Sequence, residues 1–119
     1  MHELGIAQQI MEITVGAIPP DLTGTRVARI HLRIGRLTAV VPDSLRFCFE
    51  IITRDTPLAD AQLVIEDVPV RCRCRSCGEE WSVSLPDFNC PTCKPGCVEV
   101  VAGRELDVVS VEIPDPAAG

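Results

Sequence analysis

The stretch CRCRSCGEEWSVSLPDFNCPTC, from Cys72 to Cys93, decides how the rest of this sequence is read. Cys74-Arg-Ser-Cys77 and Cys90-Pro-Thr-Cys93 are two C-x2-C pairs with 12 residues between them. Gly78 follows the first pair and Pro91 lies within the second, and both residue types suit a tight turn. Two thiolates two residues apart can face one ion, and two such knuckles complete a tetrahedral S4 shell with no position left for water or substrate. The expectation is a closed, structural zinc(II) site on Cys74, Cys77, Cys90 and Cys93. A catalytic zinc would call for a histidine or carboxylate ligand and an open fourth position, and this stretch offers neither. Cys72 and Cys97 supply C-x-C and C-x3-C alternatives beside the same ion; the knuckle geometry favours leaving both outside the shell.

The whole chain gives seven cysteines in 119 residues, six of them between Cys72 and Cys97. In a reducing compartment such clustering means metal, not disulfides. The chain has no apolar run of membrane-spanning length and no secretory-type N-terminus, so it is read as cytoplasmic, with no membrane partner. With 46% hydrophobic and 24% charged residues it folds, and its length suits one core with one small appended module. A net charge of −6 argues against a nucleic-acid partner.

Flanking the cysteines, the sequence reads as α+β. Apolar residues at Leu4, Ala7 and Met11, with Ile6, Ile10 and Ile13 beside them, predict a first helix with a wide buried stripe, stopped by Pro19-Pro20. From Arg26 to Leu37 the period changes to two, with Ala28, Ile30, Leu32 and Ile34 on one face and Arg29, His31 and Arg33 on the other, which predicts a half-buried strand. His31 is expected to be a solvated strand residue. Pro42-Asp43 opens a second helix with Leu45, Cys48, Phe49 and Ile52 inward. Leu63–Val68 and Leu106–Ile113 read as further strands, the last one placed in the same sheet as the first two. The reading is therefore a small three-stranded sheet with two helices over 1–69 and 103–113, an inserted zinc-ribbon-like module over 70–102, and a frayed tail over 114–119.

Met1-His2 places an imidazole next to an α-amine. A metal held by that amine can also take the His2 backbone nitrogen and ring nitrogen, closing adjacent small chelate rings of coplanar nitrogen donors, which suit square-planar Ni(II) or Cu(II). The bulky second residue predicts that Met1 is retained. The competing reading is an ordinary exposed histidine. No carboxylate pair stands at catalytic spacing and no glycine loop would hold phosphate, so the chain is read as no enzyme, and any GTPase activity belongs to a partner.

Several segments together resemble the HypA family, the nickel metallochaperones of [NiFe]-hydrogenase maturation. They are Met1-His2-Glu3-Leu4 followed by Ala7-Gln8 and Ile10, then Ile34-Gly35 with Leu37, and Val41-Pro42-Asp43-Ser44-Leu45-Arg46-Phe47. The two cysteine knuckles and Gly103-Arg104-Glu105-Leu106 complete the set. The resemblance implies a nickel site on the Met1 amine, the His2 side chain and backbone nitrogen and the Glu3 backbone nitrogen, with the Glu3 side chain also linked to nickel handling. It implies zinc on the four knuckle cysteines, and Ni(II) as cargo passed to the hydrogenase large subunit precursor together with a HypB-type GTPase. A homodimer is a further expectation. The extra thiols Cys72 and Cys97 depart from that pattern. The rival reading is a zinc-ribbon module that binds protein or nucleic acid and delivers no nickel.

Overall fold

The structure is a computed structural model, and it describes residues 3–22, 24–83, 89–93 and 98–114. By packing, the chain divides into two compact units. The first comprises Met1–Arg33, Val40–Glu66 and Asp107–Gly119, and the second Ile34–Ala39 and Asp67–Leu106.

Helix α1 runs from Glu3 to Ala17 and strand β1 from Arg29 to Gly35, followed by helix α2 from Pro42 to Ile52 and strand β2 from Gln62 to Val68. Strand β3 (Arg71–Cys74), β4 (Glu80–Ser82) and β5 (Val98–Ala102) come next, and β6 spans Leu106–Glu112. One sheet has the order β2-β1-β6. The Gln62 N–H donates to the Ala28 carbonyl and Arg33 meets Glu66, so β1 and β2 run parallel around the α2 crossover. The Ala28 N–H donates to Glu112 and the Gly35 N–H to Glu105, so β6 runs antiparallel on the other side of β1. The last strand thus joins the sheet that the sequence assigned to it, with the cysteine-rich stretch inserted before it.

The first unit's core contains Ile6, Ala7 and Ile10 of α1, Val27 just before β1, Ile30 and Leu32 of β1, Leu45 and Phe49 of α2, and Leu58 and Leu63. The α1 stripe is narrower than its composition suggested. Leu4 is 48% and Ile13 54% exposed, while Ile6, Ala7, Ile10 and Thr14 are buried. Those four lie within one arc of the helical wheel, and residues 4 and 13 fall outside it on opposite flanks. Cys48, expected inward on α2, is half-buried. Strand β1 is also shorter than the 26–37 pattern. The Val27 N–H is diverted to the Pro57 carbonyl, and Arg36–Thr38 turn as a 3-10 helix ending in Ala39 with a left-handed φ of 58°.

The second unit carries a sheet of its own, order β4-β3-β5, antiparallel throughout its described pairs. Among the described residues, its buried side chains include Ile34, Val68, Val70, Cys72, Cys74 and Cys90. Gly35 and Gly103 cross so closely that a Cβ on Gly35 would stand 2.0 Å from the Gly103 carbonyl oxygen, and Gly103 itself has φ +115°. Only glycine fits either position.

Candidate metal centre

Strand β3 alternates outward arginine with inward cysteine, so Cys72 and Cys74 face the interior while Arg71 and Arg73 face water. The chain turns sharply after Cys74. The Cys74 N–H donates to the Glu79 carbonyl at 2.9 Å and the Gly78 N–H to the Cys74 carbonyl at 2.7 Å. Gly78 adopts φ +77°, a conformation that costs any residue with a Cβ. This folds Cys77 back toward Cys74. In the second knuckle the Cys93 N–H donates to the Cys90 sulfur at 3.3 Å. The Thr92 hydroxyl donates to the Glu79 carboxylate and ties one knuckle to the other. No pattern in the sequence pointed to that tie, because its partners lie 13 residues apart with no shared spacing rule.

The fold brings the Cys74, Cys77, Cys90 and Cys93 sulfurs within 4.8 Å of one another, and Cys77 and Cys90 stand 3.8 Å apart. A tetrahedral zinc with Zn–S bonds of about 2.3 Å needs sulfur–sulfur edges of about 3.8 Å. The donors therefore fit zinc in number, type and spacing. Electrostatics agree. The Cys74 thiol is lowered to about 6, first by the Cys77 backbone N–H and then, against burial, by that of Ser76. The Cys93 thiol is pushed up to about 12, first by the Cys77 and Cys74 sulfurs beside it and then by burial. At Cys77 the Glu79 backbone pulls the thiol down, but burial and the Cys74 sulfur outweigh it and the net shift is upward. Four thiolates cannot share this volume alone; a divalent cation at their centre removes the conflict.

Cys72 is wholly buried and does not belong to the group of four; in register it faces Trp81 on β4 and Val100 on β5. Burial pushes its thiol up, opposed by the Arg104 charge. Cys97 lies outside the described residues, as do Met1 and His2 and the tail beyond Pro114.

Glu3 is described, and its carboxylate is engaged. It accepts from the Val41 N–H at 3.3 Å and the Ser44 hydroxyl at 3.4 Å. Val41 is the N-cap of α2 and offers no side-chain cap of its own. Glu3 therefore caps α2 from the start of α1, where the helix dipole also favours a negative charge. The Val41 N–H, aided by Ser44, holds the Glu3 carboxyl below its ordinary value. Sequence reasoning missed Val41 and Ser44 as partners. His31 faces outward from β1, as its strand position indicated, and its Nε2 lies 2.9 Å from the Glu112 carboxylate.

Among the described residues, no helix is long and apolar enough to cross a membrane. A family model described as hydrogenase/urease nickel incorporation, metallochaperone, hypA, matches residues 1–113. The hydrogenase maturation factor HypA of Desulfosudis oleivorans is 58% identical over 113 residues, 95% of this chain and 98% of that protein. The protein of the same name from Desulfatibacillum aliphaticivorans is 51% identical over 116 residues, 98% of this chain and 89% of its own length. In fold the chain is similar to the solution structure of the Ni metallochaperone HypA from Helicobacter pylori, with a TM-score of 0.65 at 22% identity, covering 95% of this chain and 97% of that one. A second solution structure of a HypA protein matches with a TM-score of 0.68, also at 22% identity, over 96% and 97% of the two chains.

Proposed function

Because this chain belongs to the HypA family, the metallochaperones of nickel incorporation into hydrogenase and urease, we propose that it carries one Ni(II) at its N-terminus and delivers it to the large subunit precursor of a [NiFe]-hydrogenase. The cargo ion is held by the Met1 amine, the His2 ring and backbone nitrogens and the Glu3 backbone nitrogen. A HypB-type GTPase supplies the nucleotide chemistry, and the protein acts in the cytoplasm, itself catalysing no reaction; a homodimer is one form in which it works. Cys74, Cys77, Cys90 and Cys93 hold zinc(II), which supplies a closed, redox-inert centre of folding for the module.

The observation that carries the nickel reading is the family match over 1–113, which begins at Met1-His2-Glu3. The Glu3 carboxylate, which accepts from Val41 and Ser44, anchors the residue after Met1-His2 to the start of α2. The donor chemistry also suits a carrier. Coplanar nitrogens select Ni(II) by geometry, and each must be free of its proton to bind. An α-amine and an imidazole ordinarily titrate near about 8 and about 6.5, so nickel affinity falls as the pH drops through that range. The sulfur site leaves no open position and keeps its ion.

The test is a nickel titration of zinc-loaded protein with a native Met1, beside a version with one residue added before it. The expected result is one equivalent of nickel with a square-planar absorbance band in the first, and loss of that band in the second with zinc retained. Equal nickel binding by both versions, or by neither, removes the terminal chelate and leaves a zinc-stabilised docking protein.

A further inference from the structure

Each sheet of the molecule has a central strand whose outward face carries a row of cations. In the first sheet, β1 presents Arg29, His31 and Arg33. Glu112 meets Arg29 at 3.4 Å and His31 at 2.9 Å, and Glu66 meets Arg33 at 2.8 Å. Two permanent cations face two carboxylates, and that row is neutralised within the sheet.

The row on β3 is different. Arg71 and Arg73 project from one face, and Arg75 continues the alternation just past the strand's end. The single carboxylate of Glu99 serves both Arg73 at 3.2 Å and Arg75 at 3.6 Å. Its carboxyl is held below the ordinary value, first by Arg73. Glu80 stands opposite Arg73 in register. Among the described residues, Arg71 reaches only the Ser82 hydroxyl, at 3.2 Å. Glu99 thus pairs with two of the three guanidiniums, Glu80 stands across from Arg73, and all three arginines lie open to water, Arg75 with 68% of its side chain exposed. Arg71 and Arg73 on β3 are spaced by about 6.6 Å, the repeat of alternate residues in an extended chain, and Arg75, in the turn after the strand, joins them through Glu99.

We propose that this face of the second unit, the Arg71–Arg73–Arg75 row, docks an extended acidic segment of a partner protein whose carboxylates recur at every second residue. Arginine suits that role because its planar fork pairs with carboxylate in two parallel hydrogen bonds. The same spacing would suit a phosphate backbone, but the face argues against it. Trp81 pairs with Cys72 on the opposite side of the sheet, so among the described residues no aromatic ring stands between the arginines for bases to stack on. Glu80 and Glu99 on the same face, with a net charge of −6 over the chain, repel a polyanion while tolerating a few carboxylates.

The experiment uses the full zinc-loaded chain and a fluorescein-labelled peptide with three aspartates at alternate positions in a serine background. Its asparagine counterpart and a short single-stranded oligothymidine serve as competitors, and anisotropy is read at low and at physiological ionic strength. Binding of the aspartate peptide is expected to weaken with salt and to fall about tenfold in the R71S/R75S double variant, within the range that two exposed ion pairs supply. R71K/R75K should keep most of it, and Arg29→Ser, on the balanced row, should leave it unchanged. Zinc content and Trp81 fluorescence establish that each variant is folded. Equal binding of the aspartate and asparagine peptides, or of native and R71S/R75S protein, overturns the proposal. Tighter binding of oligothymidine than of the aspartate peptide overturns it in favour of a phosphate-backbone site. None of these readings involves nickel, so they stand or fall separately from the metal-delivery reading.

Discussion

The two units of this chain are held together by different physics. In the first, ten buried apolar residues among those described, from two helices, strands β1 and β2 and the segments beside them, form an ordinary core, and the helices are joined at their starts by the Glu3 carboxylate. In the second, the buried side chains among the described residues are Cys72, Cys74 and Cys90 beside Ile34, Val68 and Val70. With half of those side chains cysteine, apolar packing among the described residues supplies less of this unit's stability than of the first unit's. The difference predicts which unit depends on an ion. The first stands on apolar burial, whereas the second gathers four cysteine sulfurs within 4.8 Å of one another, an arrangement that could hold a metal ion.

Zinc removal should separate the units most sharply. Structural zinc sites contribute on the order of 10 kcal/mol or more to the folding of small modules. Chelation, or Cys90→Ser, is therefore expected to abolish one equivalent of zinc and the folded-state fluorescence of Trp81. The far-ultraviolet signal of α1 and α2 should persist. Simultaneous loss of both signals at the same chelator concentration would break the comparison, because it would make the first unit's stability conditional on the metal as well.

Much of this division could be read in the sequence, and for physical reasons. The C-x2-C pairs are visible because ligand spacing is a local property, and the period-two run around Ile30 and Leu32 is visible because one strand face is buried. The apolar residues on both faces of Leu106–Ile113 place it in the first sheet, and it does pair there, although as an edge strand with Val109 57% exposed and not as a strand covered on both faces. What escaped was set by partners far along the chain. Nothing near Glu3 indicates that its carboxylate meets residues about forty positions away. The module's own sheet was also missed as a sheet, because β4 has three residues and β3 four, too few for a periodicity to register. Leu4 and Ile13 misled for the opposite reason: a helix that is apolar on several sides does not announce which side is covered.

Glu3 offers a finer probe of the first unit. Its folded-state pKa lies below the ordinary 4.5, so the cap's contribution is fully present above about pH 4.5 and is lost as the pH falls through the lowered value. Glu3→Ala should reduce the melting temperature of the helical signal by several degrees at neutral pH, and the gap from the native protein should close in acid. Glu3→Gln keeps an oxygen that can accept from Val41 and Ser44, so it should retain part of the stability and show a flatter acid limb. Zinc content is expected to stay at one equivalent in both variants. A pH-independent gap for Glu3→Ala would mean that the carboxylate's charge plays no part in the cap.

The smallest expected effect is a gain, and it too belongs to the first unit alone. Thr14 is wholly buried on the inner face of α1, and among the described residues its hydroxyl has no hydrogen-bond partner. A buried hydroxyl without a partner forfeits its hydration and receives nothing in return, whereas valine has the same branched shape and leaves nothing unsatisfied. Both residues are restricted at χ1 in a helix and differ little in helix propensity, so the backbone does not bias the outcome. Thr14→Val is therefore expected to stabilise the helical signal by about 0.5 kcal/mol, a rise of about 2–4 °C in melting temperature. The chelator concentration that releases zinc should not move. A loss of stability would show that the hydroxyl does find a partner in solution, such as a bound water or a carbonyl one turn back. The apolar core would then be less dry than its buried residues indicate.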